Sequence, residues 1–305
     1  MGSSILNVGQ SALAAAQAGL TTTAHNIANA NTPGYSRQIV IQKSAGSQDM
    51  GFGYIGKGTE VAEVQRVYSD LLNERVNQAQ SSSSQLQTYF NQISQINNQF
   101  GSSTAGLSPT LQSFFNGIQD LASNPTSGAT RQAALSSAET LAARFQSLDG
   151  QLRDVASGVN SQIVSTVDSI NVYAQQIATL NDAIEKAQGG VDGQVSNDLL
   201  DQRDYAVAQL SQQVKASVVK QGNSYNVFIG NGQPLVVGAK PTTLVAVNST
   251  TDPGQMSVGY VSNGKQIPLA ENSLTGGSLG GLIQFRNETL NVAQNSLGRI
   301  AVTLA

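Results

Sequence analysis

Three places in this chain carry side chains that could do chemistry. His25, the only histidine, stands beside Asn26 and Asn29. An imidazole can act as a general base near neutral pH, but a hydrolytic site also needs a nucleophile and an orienting acid. No serine and acid pair is identifiable around His25, so a histidine on a helix surface is expected. Asp198, Asp201 and Asp204 form the densest carboxylate group, interleaved with Arg203. Paired carboxylates can hydrolyse glycosidic bonds, but on a helix Asp201 and Asp204 share a face from which Arg203 points away. A local ion pair, or a contact to a neighbouring long helix, is therefore expected. Metal binding would call for an Asp-x-Asp-x-Asn-Gly loop, which is missing. Third, residues 51–58 read Gly51-Phe-Gly53-Tyr-Ile-Gly56-Lys-Gly58. Glycine loops can cradle phosphate, but no helix start, Lys-Ser/Thr pair or following acid completes such a site. Glu60, Glu63 and Arg66 read as the solvated start of a helix. No catalytic residue, cofactor site or metal site is assigned.

Composition narrows the classes further. The chain has 305 residues, long enough for two domains, and only 11% of them are charged, against about 25% in ordinary soluble domains. A formal charge of −3 without any basic cluster gives no field for gathering nucleic acid. Cysteine is absent, which excludes disulfides and thiolate chemistry. No uninterrupted apolar run approaches the roughly 18 residues of a membrane span. The first Lys or Arg is Arg37, so the basic start of a cleaved signal peptide is missing.

The elements that would position these groups begin with a narrow apolar stripe. Leu6, Leu13, Leu20 and Ile27 fall seven apart, with Gly9, Ala16 and Thr23 three places after the first three. This is a heptad seam whose second position is small. Its remaining faces are polar or alanine, so this helix needs a partner, and residues 1 to about 60 are expected to be mobile in a lone copy. Asn29-Ala-Asn31-Thr-Pro33-Gly34-Tyr35 should stop it, since Pro33 bars Thr32 from helical geometry and Gly34 permits a positive φ. Ser36–Gln42 alternates as a strand would, and residues 44–58 read as a loop or hairpin. A helix is expected from Val61 to Gly101 with the stripe Tyr68, Leu72, Val76, Ala79, Ser83, Leu86, Phe90, Ile93, Asn97, Phe100. A shorter one starts at Ser108-Pro109. The longest runs from about Thr130 to Gln188 on a seam from Leu141 to Ile184, closed by Gly189-Gly190, with a phase slip or a bend expected around Val155–Val167, where three steps of four follow one another. Phe90, Phe114 and Phe115 are expected in the bundle core. Ser196-Asn197 caps the next helix. From about Val214 short period-two runs separated by Gly-Asn and Asn-Gly turns predict one small antiparallel sheet. Gly276–Gly281 turns into a last helix with Leu290, Leu297 and Leu304 seven apart, a pattern still running at Ala305.

The run Asn26-Ile-Ala-Asn29-Ala-Asn31-Thr-Pro33-Gly34-Tyr35-Ser-Arg37-Gln38, behind an alanine-rich helix at the chain start, resembles the N-terminal signature of bacterial flagellar axial proteins. The form Gly-Tyr-Ser-Arg-Gln is more similar to the hook-associated protein 1 family, junction subunits between hook and filament, than to the hook protein. Leu199-Leu-Asp-Gln-Arg-Asp204 and Gly276-Gly-Ser-Leu-Gly-Gly-Leu-Ile-Gln-Phe-Arg286 resemble motifs of the same family.

The fold expected is mainly α: an elongated bundle of long coiled-coil-like helices with an N-terminal heptad helix and a small antiparallel β insertion. Five segments are expected: an axial helix with its Pro-Gly-Tyr motif (1–43), a glycine-rich connector (44–60), a helical rod (61–213), a small β domain (214–275) and a helix returning to the rod (276–305), cut short. The resemblance implies a structural, non-enzymatic subunit outside the cell, exported by the flagellar type III route without a cleaved signal. It implies as partners copies of itself in a ring, the hook protein, the second junction protein and an export chaperone, with no nucleic acid or membrane. The assembly seam would be Leu6, Leu13, Leu20 and Ile27, and the family motif Asn26, Asn29, Asn31, Pro33, Gly34, Tyr35 and Arg37. A hook or distal rod subunit and a secreted coiled-coil adhesin remain the rivals.

Overall fold

A computed structural model describes residues 2–100, 106–189 and 196–304. Helix α1 (Gly2–Ala28) leads to a two-stranded antiparallel ribbon of β1 (Gln38–Ser44) and β4 (Thr59–Arg66), which is extended by a hairpin of β2 (Ser47–Asp49) and β3 (Tyr54–Gly56). Helices α2 (Asp70–Phe100), α3 (Leu107–Ser123), α4 (Gly128–Gln188) and α5 (Asn197–Gln213) make the bundle. The stop expected at Gly101, and the second glycine of Gly189-Gly190, lie outside the described residues.

The 61-residue α4 is the backbone of the molecule, about 90 Å long at about 1.5 Å per residue. Ser127 caps its start by accepting from the Thr130 amide. Its seam from Leu141 to Ile184 is the buried face, with Phe145 alone half-buried, and it stays α-helical through the stretch where the spacing slips. Thr166 fills that stretch, its hydroxyl bonded to the Gln162 carbonyl.

Against α4 lie two antiparallel sheets where one was expected. The first comprises β5 (Ala216–Gln221), β6 (Ser224–Ile229), β7 (Gln233–Val237) and β8 (Lys240–Pro241); the second comprises β9 (Leu244–Asn248), β10 (Met256–Ser262) and β11 (Lys265–Pro268). Three asparagines on α4 hold the β region by amide pairs. Asn160 bonds the Gly254 carbonyl and the Met256 amide, Asn171 bonds both backbone groups of Leu244, and Asn181 bonds Tyr225 and Gly238. Each matched amide pairs at least two backbone groups, and at Tyr225 these are buried groups that would otherwise be left unpaired.

Helix α6 (Gly277–Phe285) then passes through a π-helical turn at Arg286–Leu290 into α7 (Asn291–Leu304). Buried Arg286 donates to the Met256 carbonyl and pairs with Glu271 at 2.7 Å, tying this turn to the second sheet.

Several expectations are corrected. The helix does not begin at Val61: Thr59–Arg66 is strand β4, its register fixed by pairing with β1, and α2 starts at Asp70. Extending the stripe of Tyr68 back to Val61, with Glu60, Glu63 and Arg66 as a solvated helix start, suggested a helix there, and long-range pairing overrides it. Most of the stripe of α2 faces solvent, with Leu72, Val76, Leu86 and Phe90 all exposed, while Ile93 packs against the core. The packed face mixes polar and apolar side chains: Gln85 bonds Gln284 and the Gly276 amide, Gln92 bonds Gln162, and Tyr89, Ile93 and Ile96 pack against the core. Phe90 and Phe115 are therefore exposed and Phe114 half-buried, outside the core. Helix α3 has Gly106, not Ser108, at its N-cap. Gly280 and Gly281 lie inside α6, not in a turn.

The reason for Gly281 is a close approach, since a Cβ there would stand 2.5 Å from the Gln85 carbonyl oxygen of α2. Gly281→Val should therefore cost about 2–4 kcal/mol by forcing α6 from α2. The shift of the urea midpoint measures this, and an unchanged midpoint would mean that the two helices are free to separate.

Candidate functional site: the joint between α1 and the bundle

Helix α1 divides its faces by size. The small and polar side, with Ser11, Ala15, Ala18, Thr22 and Asn26, lies against the β1–β4 ribbon, and Ala15 is only 3% exposed. The seam residues point away from it: Leu6, Leu13, Leu20 and Ile27 are 74, 60, 72 and 72% exposed. Small side chains let the ribbon lie close, and the larger ones are left without a partner among the described residues.

The end of α1 is built from the signature. The Asn29 side chain donates to the His25 carbonyl at 3.1 Å and accepts from Thr32 Oγ1 at 3.2 Å. Gly34 takes φ +80°, the left-handed region, and a Cβ there would lie 2.6 Å from Cβ of Tyr205 on α5. Asn26 closes the turn, its Oδ1 accepting from Tyr35 Oη at 2.7 Å and from the Gln38 amide at 2.8 Å. Its Nδ2 donates to the Gln38 carbonyl at 2.9 Å. One side chain thus fixes both the phenol and the first residue of β1.

The turn is fastened to α5 by the aspartate group. The Ser36 amide donates to Asp201 Oδ2 at 2.9 Å, Gln38 Nε2 to Asp198 Oδ1 at 3.2 Å, and Asn197 Nδ2 to the Val64 carbonyl at 2.7 Å. His25 Nε2 stands 3.4 Å from Asp198 Oδ1, and its ring meets Tyr35 edge-on at 5.5 Å between centroids. Beneath them Arg66 Nη1 donates to Asp201 Oδ1 at 2.6 Å and to Asp204 Oδ2 at 2.8 Å, and Tyr225 Oη donates to Asp204 Oδ1 at 2.8 Å. Arg66, expected in a solvated helix start, has a side chain only 9% exposed, and that of Asp201 is 6% exposed.

The electrostatics follow from burial. Desolvation alone would lower the Arg66 pKa, but its bonds to Asp201 and Asp204 outweigh that and hold it above its ordinary value. Arg203 is lowered by burial; it donates to Asn181 Oδ1 and the Asn223 carbonyl and stacks 3.5 Å from the Tyr225 ring centroid. Tyr35 and Tyr225 are raised, first by burial and then by the aspartates beside them, Asp198 and Asp201 for the one and Asp204 for the other.

The structure thus brings Asn26, Asn29, Gly34 and Tyr35 together at this joint. Asn31, Pro33 and Arg37 are exposed at its outside, and of these Arg37 joins it through its carbonyl, which accepts from Val67. The Leu seam is on another face. Missed from the sequence were Arg66, Gln38, Asn197 and Tyr205, and the docking role of the aspartates. Asp201 and Asp204 on one helical face, with no cation of α5 turned towards them, was the available signal that a distant cation must meet them.

Two of the three motifs that resemble those of flagellar axial proteins thus meet at one joint, between a helix with an uncovered heptad and a long bundle. Residues 93–305 match the family model for the flagellar hook-associated protein FlgK helical domain, and residues 6–35 match that for flagella basal body rod protein. The chain belongs to the FlgK family. Over 305 residues it is 42% identical to flagellar hook-associated protein 1 of Salmonella typhimurium (strain LT2) and 40% identical to that of Escherichia coli (strain K12). These alignments cover 99% of this chain and 55% and 56% of those relatives, so it spans about half their length. A solved structure, the flagellar hook junction protein FlgK from Burkholderia pseudomallei, matches with a TM-score of 0.71 at 40% identity, covering 76% of this chain and 42% of that one. The resemblance read from the motifs is borne out.

Arg66→Ala strands two buried carboxylates and should cost about 3–5 kcal/mol, read from the urea midpoint; a loss of under about 1 kcal/mol would show an exposed pair instead. The raised phenols give a pH dependence of known sign. Their contribution is intact below the ordinary tyrosine value of about 10 and is lost as pH rises beyond it, because the unfolded chain releases those protons first. Thermal unfolding between pH 8 and 11 should show stability falling above about pH 10, less steeply in Tyr225→Phe.

Proposed function

We propose that this chain is a structural adaptor of the hook–filament junction, polymerising at the hook tip and offering a surface on which filament subunits are added. The observation that carries this reading is the Leu6–Leu13–Leu20–Ile27 seam, exposed along its length on a helix whose opposite face is already committed to the ribbon. Helices of neighbouring copies cover it, stacking into an inner tube with the bundle around them and the sheets outermost.

Residues 2–28 hold no Asp, Glu, Lys or Arg, so close packing of copies strips no ions of water. Each contact is small, and a ring engages several at once, which keeps single subunits soluble and the closed assembly stable. In this reading the five segments proposed from the sequence are an inner-tube segment, connector, rod, outer β domain and returning helix. The hook protein and the second junction protein adjoin the ring, an export chaperone carries the chain beforehand, and export uses the flagellar type III route without cleavage. Among the described residues no helix is long and apolar enough to cross a membrane.

The family is structural, and neither the hook or distal rod reading nor the adhesin reading is favoured by its relatives. Leu13→Asp tests the seam, because Leu13 touches solvent in the lone copy. Its unfolding free energy should stay within about 0.5 kcal/mol of the parent, while incorporation into junctions is lost. Restored motility in a strain carrying only that variant would contradict the proposal.

A further inference from the structure

The sequence contains three Asn-Gly steps: Asn116-Gly117, Asn231-Gly232 and Asn263-Gly264. At such a step the backbone nitrogen of the glycine can reach the side-chain carbonyl carbon of the asparagine, because no Cβ on the second residue stands in the way. Attack requires that nitrogen to give up its proton, so a glycine N–H already committed to a hydrogen bond is a poor nucleophile. It also requires a backbone free to rotate at the asparagine, which local opening supplies only where few contacts hold the chain.

The fold treats the three steps differently. Asn116 lies within α3, where the Gly117 N–H belongs to the helical ladder, and a Cβ on Gly117 would stand 2.9 Å from Ser137 Oγ of α4. That step is held on both sides. In the turn between β6 and β7 the Gly232 N–H donates to the Ile229 carbonyl at 3.2 Å, so this nitrogen is occupied too. Asn263 and Gly264 form the two-residue turn joining β10 to β11, where Ser262 pairs with Lys265. Among the described residues the Gly264 N–H makes no backbone hydrogen bond outside the strands, and nothing lies within 4 Å of where a Gly264 Cβ would stand. Asn263 is exposed and takes φ +49°, alone in that region among the described non-glycine residues. Every residue of β11 is exposed, so this end of the hairpin opens without disturbing the core. Rotation of the Asn263 backbone out of its turn then brings the Gly264 nitrogen to the side-chain carbonyl.

We propose that Asn263 is a self-modifying site, selected from the three by the fold. The Gly264 nitrogen, its proton passed to solvent, bonds to Asn263 Cγ; the Cγ–Nδ2 bond breaks, and that nitrogen takes up a proton and leaves as ammonia. The succinimide ring so formed is opened by water at either carbonyl. Opening at Cγ leaves aspartate, and opening at the main-chain carbonyl leaves isoaspartate, in which the chain runs through the former side chain. Ammonia is exchanged for water, and nothing is oxidised or reduced. Either product places a negative charge in the turn beside Lys265. Isoaspartate also lengthens the main chain by an atom, which a two-residue turn does not absorb. Pairing of Ser262 with Lys265 is then lost and β11 leaves the edge of the second sheet, while β10, paired with β9 and burying Val258, stays in place.

The test is peptide mapping of the full chain after several weeks in mildly alkaline buffer, reading aspartate and isoaspartate at each asparagine. The expected result is modification at Asn263 about ten-fold or more faster than at Asn116 or Asn231 in the folded chain, with the three rates falling within about three-fold of one another in urea. Asn263→Gly suits the turn and cannot form the ring, so its β11 amides should keep their protection from hydrogen exchange over the period in which the parent loses it. Equal rates at the three steps in the folded chain, faster reaction at Asn116 or Asn231, or an Asn263 that reacts only in urea would overturn the inference.

Discussion

A guanidinium that has left water must be met by acceptors, and Arg66 meets two. Its bonds to Asp201 and Asp204 join the end of the ribbon to α5, and through Asp204 and Tyr225 to the first sheet. Were one partner removed, the rest would be charge buried without compensation. The ribbon in turn carries α1, covering small residues such as Ala15, while the large apolar residues of the seam contribute nothing to holding it. The attachment of the axial helix is therefore polar and directional, which sets an orientation in a way that a greasy contact would not. That division leaves the hydrophobic seam free for neighbours.

The same division recurs in the bundle. Helix α2 presents Leu72, Val76, Leu86 and Phe90 outward and packs through glutamines together with Tyr89, Ile93 and Ile96, with Gly281 admitting close contact. Apolar burial is concentrated along α4, α5, α6 and the two sheets, where Ile163, Ile170, Ile177 and Leu210 are fully enclosed. Matched amides then fix the sheets to α4 at Asn160, Asn171 and Asn181, so the rod and its β region form one continuous core. The molecule keeps its adhesive surfaces separate from the surfaces that hold it together.

Much of this was legible. The period of seven in α1, the long seam of α4, the change to period two after Val214 and the Pro-Gly-Tyr turn are local signals, and each gave the right element. The failures share one physical origin, in that periodicity shows that a face is apolar and not what covers it. Leu72, Val76 and Phe90 were read correctly as a stripe, and Phe90 wrongly as core. Thr59–Arg66 became a strand only because β1, some twenty residues earlier, supplied its partner. Arg66 looked like surface charge because both its carboxylates lie more than 130 residues away. Of the site, the residues that bond locally (Asn26, Asn29, Gly34, Tyr35) were visible as a motif, whereas those that bond across the chain were not.

The central claim is that α1 is held by its polar face and shows its apolar seam to solvent until other copies cover it. Leu20→Cys, the sole thiol in such a variant, reports this through its rate of alkylation. The account predicts reaction at close to the rate of a free thiol in the isolated subunit and strong protection once copies assemble. A thiol already shielded in the isolated subunit, or one still reactive in the assembled state, would contradict it.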